Sequence, residues 1–151
     1  MKKELKVSAI REGTVIDHIP TKSTFEVVDI LDLRHHDNIV SIATNLPSKK
    51  DKKKGIVKVG GKFLTKEEVN KIALVASNAT VNIIKDYEVR QKINVNVPDF
   101  IEKIIKCSNP NCVTNIEKNT MTKFYVLNKE PVKVRCHYCE RDMPSEDIKL
   151  K

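Results

Sequence analysis

Apolar and polar positions alternate from the start of the chain. Residues 5–10, Leu-Lys-Val-Ser-Ala-Ile, read as a first strand. Gly13 then predicts a turn or a bulge, and Val15, Ile16 and Ile19 are apolar anchors around the polar pair Asp17-His18. Ser23-x-x-Glu26 has the form of a capping box. It opens a helix to about Leu31 or Leu33, with Phe25, Val28 and Leu31 marking its faces. His35-His36-Asp37 is a polar break. Residues 39–45 are a second strand, ended by Pro47, and residues 48–55 are a lysine-rich hairpin loop. Residues 56–59 continue as a third strand, with Gly60-Gly61 as a turn signal. Thr65-x-x-Glu68 is a second capping box. Its helix buries Val69, Ile72, Ala73 and Ala76 at i, i+3, i+4, i+7 spacing and ends near Ser77-Asn78. Residues 80–84 form a fourth strand, Lys85-Asp86 a turn, and residues 87–95 a further extended stretch.

The resulting order, β-α-β-β-α-β, predicts an α+β chain whose first domain is ferredoxin-like. Residues 95–98, Val-Asn-Val-Pro, mark the boundary, giving domains 1–97 and 98–151. The second stretch is too short for an independent core and needs a staple. Its predicted strands, 124–127 and 132–134, lie between two cysteine pairs, as in a small all-β rubredoxin-like or zinc-ribbon domain.

Those pairs are Cys107-x4-Cys112 and Cys136-x2-Cys139, and the protein has no other cysteine. Each spacing lets a tight loop turn both thiolates toward one point. Together they form the tetrahedral sulfur set of one structural Zn²⁺, with an iron centre as the alternative. A disulfide pair suits a secreted mini-domain, whereas no signal core follows the N-terminal lysines here, because Glu4, Lys6 and Arg11 interrupt it. A redox Cys-x-x-Cys needs only one pair. No run is long enough to span a membrane, and cytoplasmic localisation is expected.

The formal charge of +8 falls to about +6 once four thiolates and one Zn²⁺ are counted. Such a balance suits a polyanionic ligand or simply solubility. The lysine run at 49–54 reads first as a solvated loop. The N-terminal strands carry one aromatic, Tyr87, which speaks against an RNA-binding sheet and leaves a nucleic-acid-binding zinc ribbon as the second reading. No nucleophile–base constellation or phosphate-cradling glycine loop exists. His137 is a spacer inside the second cysteine loop, and His35-His36 sit in a polar turn. Asp17-His18 is either functional or a satisfied turn. A four-thiolate metal leaves no open position for water, so no catalytic residue is expected and the chain reads as a binding protein.

Residues 13–20, Gly-Thr-Val-Ile-Asp-His-Ile-Pro, then 45–48, 79–82 and 87–89, together with the cysteine spacing, resemble the regulatory chain of aspartate carbamoyltransferase over nearly the whole sequence. The resemblance implies a subunit without activity of its own. Such a subunit binds CTP, ATP or UTP in its N-terminal domain, pairs with itself, and grips the catalytic chain through its zinc domain. The implied assembly bridges two catalytic trimers by three regulatory dimers in pyrimidine synthesis, without nucleic acid or membrane. Carried across by resemblance, Val7, Ala9 and Ile10 read the base edge, Val15 packs nearby, and Asp17 accepts from ribose hydroxyls. His18 and Lys92 face the triphosphate, as does Lys54 at the end of the lysine run, while Lys58 serves ribose and base. Ile56, Asn82, Ile84, Tyr87 and Val89 complete the wall. Asn109, Asn111, Tyr138 and Glu140 face the catalytic chain, the asparagines also reading as turn formers. Ser8, Glu12 and Asn94 depart from the family pattern, which bears on nucleotide preference.

Overall fold

Two fully buried isoleucines three residues apart, Ile16 and Ile19, define how the first described strand is built. Side chains alternate with period two in a strand, so regular pairing would send them to opposite faces. A bulge resolves the conflict. The pairing of strand β1 (Gly13–Pro20) shifts register between Ile16 and Ile19, and His18 adopts φ 59°. The computed structural model describes residues 9–49 and 53–151. The strand expected at 5–10 therefore falls mostly outside the described residues, and Ala9 and Ile10 belong to no strand. The first described strand starts at Gly13, and the bulge inside it breaks the alternation of its residues.

The chain divides into two units, Met1–Val95 and Asn96–Lys151. In the first, β1 is followed by helix α1 (Thr24–Ile30), β2 (Val40–Pro47), β3 (Lys53–Gly60), α2 (Lys66–Val75), β4 (Thr80–Lys85) and β5 (Glu88–Asn94). The sheet order is β2-β3-β1-β4-β5, antiparallel throughout. Each helix thus links two strands that are separated by a strand of the other pair. One sheet face carries Val57, Ile16 and Val81, which are register neighbours and buried. The buried apolar residues of the helices are Val27 and Val28 in α1, and Ile72, Ala73 and Leu74 in α2; the two helices pack together, and α1 also packs on β3.

Thr65 and Glu68 form the expected capping box: the Glu68 amide donates to Thr65 Oγ1 at 3.2 Å and the Thr65 amide to Glu68 Oε1 at 2.9 Å. Ser23 does not. A 3₁₀ turn (Thr21–Ser23) runs straight into α1, so Ser23 already has helical dihedrals and makes no side-chain cap; Thr24 Oγ1 instead donates to the Thr21 carbonyl. Phe25 faces solvent. The hairpin loop expected at 48–55 is shorter, because Lys53, Lys54 and Gly55 already pair in β3. Asp86 and Tyr87, both with positive φ, close the β4–β5 hairpin with the turn twist that adjacent strands favour.

Gly13 has φ 146°, and a Cβ there would run into the Val59 carbonyl oxygen of the neighbouring strand. Gly13→Ala is expected to lower the stability of this unit by about 1–3 kcal/mol. Chemical denaturation measures this, and an unchanged midpoint would mean that the sheet relaxes around the methyl group.

The second unit holds a four-stranded sheet of order β10-β9-β8-β6, made of β6 (Phe100–Glu102), β8 (Lys123–Lys129), β9 (Val132–Cys136) and β10 (Asp142–Pro144). A two-stranded ladder joins β7 (Ile105–Lys106) to β11 (Lys149–Leu150), and one helical turn, α3 (Val113–Ile116), follows Cys112. Its small core contains Ile101, Ile105, Phe124, Val134 and Met143 together with buried cysteines.

Candidate functional site

Cys107 and Cys112 bound the loop between β7 and α3, while Cys136 ends β9 and Cys139 closes the turn after it. All four Sγ atoms lie within 4.8 Å of one another. The Cys107–Cys139 and Cys112–Cys136 pairs are each 3.7 Å apart. That is far from the roughly 2.05 Å of a disulfide, and all four are free thiols. It is close to the edge of about 3.8 Å in a tetrahedron whose metal–sulfur bonds are about 2.3 Å. The donor set therefore fits a closed metal site.

Groups around the thiols hold them for that purpose. The Asn109 amide donates to Cys107, the Tyr138 and Cys139 amides to Cys136, and the Arg141 amide to Cys139. Thr114 Oγ1 donates to Cys112 Sγ at 3.2 Å, and Asn115 Nδ2 ties the Cys107 and Asn109 carbonyls at 2.9 and 2.7 Å. Burial pushes the Cys107 and Cys136 thiols up. Burial also raises Cys139, but hydrogen bonds from the Arg141 amide, the Asn109 side chain and neighbouring thiols outweigh it and bring that thiol down to about 7. Metal capture must displace protons from these thiols, so it strengthens as pH rises. Thr114 and Asn115 carry no spacing signature, and sequence reasoning missed both.

His137 lies outside the thiol cluster, with Nδ1 2.9 Å from the Tyr125 hydroxyl. Asn111, Tyr138 and Glu140 are exposed around the two knuckles. Asn109 is only 8% exposed; its Oδ1 accepts from the Asn111 amide at 3.1 Å. Its side chain therefore serves the turn and the thiols.

In the first unit, the sheet face opposite the core gathers most of the predicted nucleotide residues. Lys58, Val15, Asn82 and Lys92 stand in one row across β3, β1, β4 and β5. At about 4.8 Å per strand, the row spans roughly 14 Å. Asn82 Nδ2 is fixed on the Val15 carbonyl at 3.3 Å. Lys54 and Ile56 precede Lys58 at alternate positions of β3. Ile84 pairs with Gly13 and Val89, at the end where β1 begins. Ala9, Ile10 and Tyr87 line a cavity of about 480 Å³ at that end, together with Gly60 and Gly61. Val7 lies outside the described residues.

The bulge builds the other end. Because Ile16 and Ile19 both point inward, Asp17 and His18 are left together outside the core. Asp17 Oδ1 accepts from the His18 amide at 2.6 Å and lies 3.0 Å from Lys54 Nζ; Asp17 Oδ2 is 3.3 Å from the same nitrogen. His18 Nδ1 lies 3.2 Å from Thr80 Oγ1, across the register pair Asp17–Thr80. Thr80 is a group that sequence reasoning missed, since only strand register brings it there. The charge follows the same division. Residues 1–95 hold 18 Lys and Arg against 12 Asp and Glu, whereas residues 96–151 hold ten against eight. The basic excess sits mainly in the unit with the open sheet face, which suits an anionic ligand there.

Among the described residues, no helix is long and apolar enough to cross a membrane. A family model described as aspartate carbamoyltransferase regulatory chain, allosteric domain, matches residues 5–96, and one described as the metal binding domain of that chain matches residues 99–149. The sequence is 63% identical over 147 residues to the aspartate carbamoyltransferase regulatory chain of Pyrococcus abyssi and 62% identical over 147 residues to that of Pyrococcus horikoshii, covering 96% of each chain in both cases. It is 46% identical over 149 residues to that of Bacteroides fragilis, covering 99% of this chain and 97% of the relative. With both unit types matched in order along its length, the chain belongs to the family of aspartate carbamoyltransferase regulatory chains, which are non-catalytic subunits of that enzyme.

Proposed function

We propose that the chain binds a nucleoside triphosphate of the CTP, ATP or UTP type on the open face of its N-terminal sheet, and that a zinc-tied C-terminal unit carries this occupancy to a catalytic chain. The observation that carries the reading is the sheet-face row Lys58–Val15–Asn82–Lys92, with the Asp17–His18 bulge just beyond Val15 on β1. A triphosphate needs only a few cations, because charge-assisted hydrogen bonds are strong. Lys92, His18 and Lys54 are assigned to phosphate, Lys58 to ribose and base, and Asp17 to ribose hydroxyls. Ala9, Ile10 and Tyr87 line the cavity assigned to the base. Lys54 is paired with Asp17 without ligand, so binding there exchanges one polar partner for another.

The metal is assigned as Zn²⁺ on the all-sulfur tetrahedral donor set. Free thiols suit the cytoplasm. Asn111, Tyr138 and Glu140 are assigned to the catalytic-chain contact, with Asn109 bracing the knuckle beneath them. Pairing of two copies is supported by β2, which among the described residues is an edge strand of the sheet and leaves Ile42 exposed. In the assembly so built, three such dimers bridge two catalytic trimers. Nucleotide acts by binding the two quaternary states with different affinity.

The test is catalytic-trimer activity titrated with each nucleotide, with and without this chain. A nucleotide response that requires the chain is expected. Failure of the purified chain both to bind ATP or CTP and to associate with the trimer would overturn the reading.

A further inference from the structure

The outer face of the C-terminal sheet and the turn after β9 together carry four rings in sequence of contact. Phe100 on β6 pairs in register with Tyr125 on β8, their centroids 5.2 Å apart. Tyr125 lies 5.7 Å from His137 and holds its Nδ1 through the hydroxyl at 2.9 Å. His137 meets Tyr138 edge-on at 5.1 Å, and the Tyr138 hydroxyl donates to the Met121 carbonyl at 3.2 Å. Phe100, Tyr125 and Tyr138 are nevertheless 39%, 44% and 38% exposed. The core does not require them there: Phe124, one residue from Tyr125 and fully buried, fills the inner face. Alternation along β8 thus spends a second aromatic on solvent.

We propose that this strip of Phe100, Tyr125, His137 and Tyr138 is the energetic centre of the surface that seats the catalytic chain; the proposal rests on the docking role assigned above. Three observations select that occupant. The strip is continuous with the second knuckle, since Tyr138 lies between Cys136 and Cys139 and beside Glu140. Its rings are tied to one another and to backbone before any partner arrives, which reduces the side-chain entropy lost on docking, and aromatic anchors of this kind dominate protein interfaces. The charge beside it is partly engaged: three cations already have acidic partners, two of them sharing Asp142, and among the described residues Lys123 on β8 is left without an ion pair. Arg135 is held by Asp142 at 2.7 Å, Lys133 lies 3.9 Å from the same carboxylate, and Lys129 lies 3.0 Å from Asp99. A platform for single-stranded nucleic acid needs free cations tracking a backbone beside its aromatics. The formal +2 of residues 96–151 is cancelled by four thiolates around one divalent ion.

The experiment compares the full-length chain with Phe100→Ser plus Tyr125→Ser, measuring association with the catalytic trimer and metal content side by side. Wild-type chain is expected to bind, and the double variant to keep its metal and bind at least about thirtyfold more weakly, the loss typical of removing a hot spot. Tyr125→Phe, which removes only the bond to His137, is expected to stay within about threefold. Oxidative footprinting of the wild-type complex supplies a readout free of substitutions, with Phe100 and Tyr125 protected by the trimer. A double variant that binds like wild type, or rings still labelled in the complex, overturns the strip while leaving the docking role intact. No association by the wild-type chain overturns both. Salt-sensitive binding of an oligothymidine or oligouridine that the double variant loses, with trimer association unchanged, reassigns the strip to nucleic acid.

Discussion

Cys107→Ala is expected to cost the chain its metal, unfold residues 96–151 and abolish association with the catalytic chain, while the N-terminal unit stays folded and keeps its ligand affinity. The second unit cannot hold itself together by burial alone. Its core consists of a few side chains, notably Phe124, Val134, Met143, Ile101 and Ile105, plus the buried cysteines themselves. Beyond a short four-stranded sheet, its regular structure amounts to two short helical turns, α3 and a 3₁₀ turn at Ser145–Asp147, and one two-residue ladder. Structural zinc contributes about 10–16 kcal/mol in small domains, more than such a core supplies. Removing one of four thiols opens the tetrahedron and leaves Cys139, 3.7 Å away, without its partner. Metal analysis, hydrogen exchange resolved by unit, and sedimentation with the catalytic trimer check the three parts separately. Metal-free chain that still docks would overturn the structural role of the site. The N-terminal unit has its own two-helix, five-stranded core, which is why loss of the metal is expected to stop at the unit boundary.

How far each feature could be read from the sequence depends on how local its cause is. The cysteine centre was legible because two short loops suffice to aim each pair of thiols, and spacing states this directly. The Thr65–Glu68 box was legible for the same reason, since both bonds close within one helical turn. Ser23–Glu26 shows the same pattern without the structure, because a preceding 3₁₀ turn makes Ser23 part of the helix. Nothing in the four residues themselves announces that turn. In strand β1 the sequence points to a turn or a bulge at Gly13, whereas the bulge lies further on, between Ile16 and Ile19, and Gly13 is a point of close backbone approach to Val59. Lys53 and Lys54 read as loop because they are charged, yet they continue β3, with Pro20, Leu46 and Pro47 as their register partners. The sheet-face site is the least local feature. Resemblance supplied its residues, but only register explains why Lys58, Val15, Asn82 and Lys92, drawn from four strands, form one row. Thr80 beside His18 and the outward Phe100–Tyr125 pair are products of register too, and neither has a sequence signature.

Lys92→Ala combined with His18→Asn is expected to weaken triphosphate binding by about a hundredfold or more while leaving metal content and assembly unchanged. Each charge-assisted contact to phosphate is worth about 1.5–3 kcal/mol, or roughly 10- to 150-fold in affinity, and the two contacts come from different strands. Lys92 is exposed at mid-strand on β5, so its truncation disturbs no packing. Asparagine is chosen at position 18 because His18 holds φ 59°, a conformation that asparagine tolerates better than alanine. The chemistry of the loss is diagnostic. A site in which these two residues face the phosphates should lose discrimination between nucleoside triphosphate and nucleoside, with nucleoside affinity little changed. Calorimetric titration of CTP, ATP and cytidine against wild-type and variant chains makes the comparison. Triphosphate affinity within threefold of wild type would put the phosphates elsewhere and leave the lysine row as a solvated sheet face. A uniform loss for triphosphate and nucleoside alike would instead indicate that the bulge holding Asp17 had been disturbed. The single variants separate those outcomes, because Lys92 lies on β5 and the bulge on β1, with β4 between them.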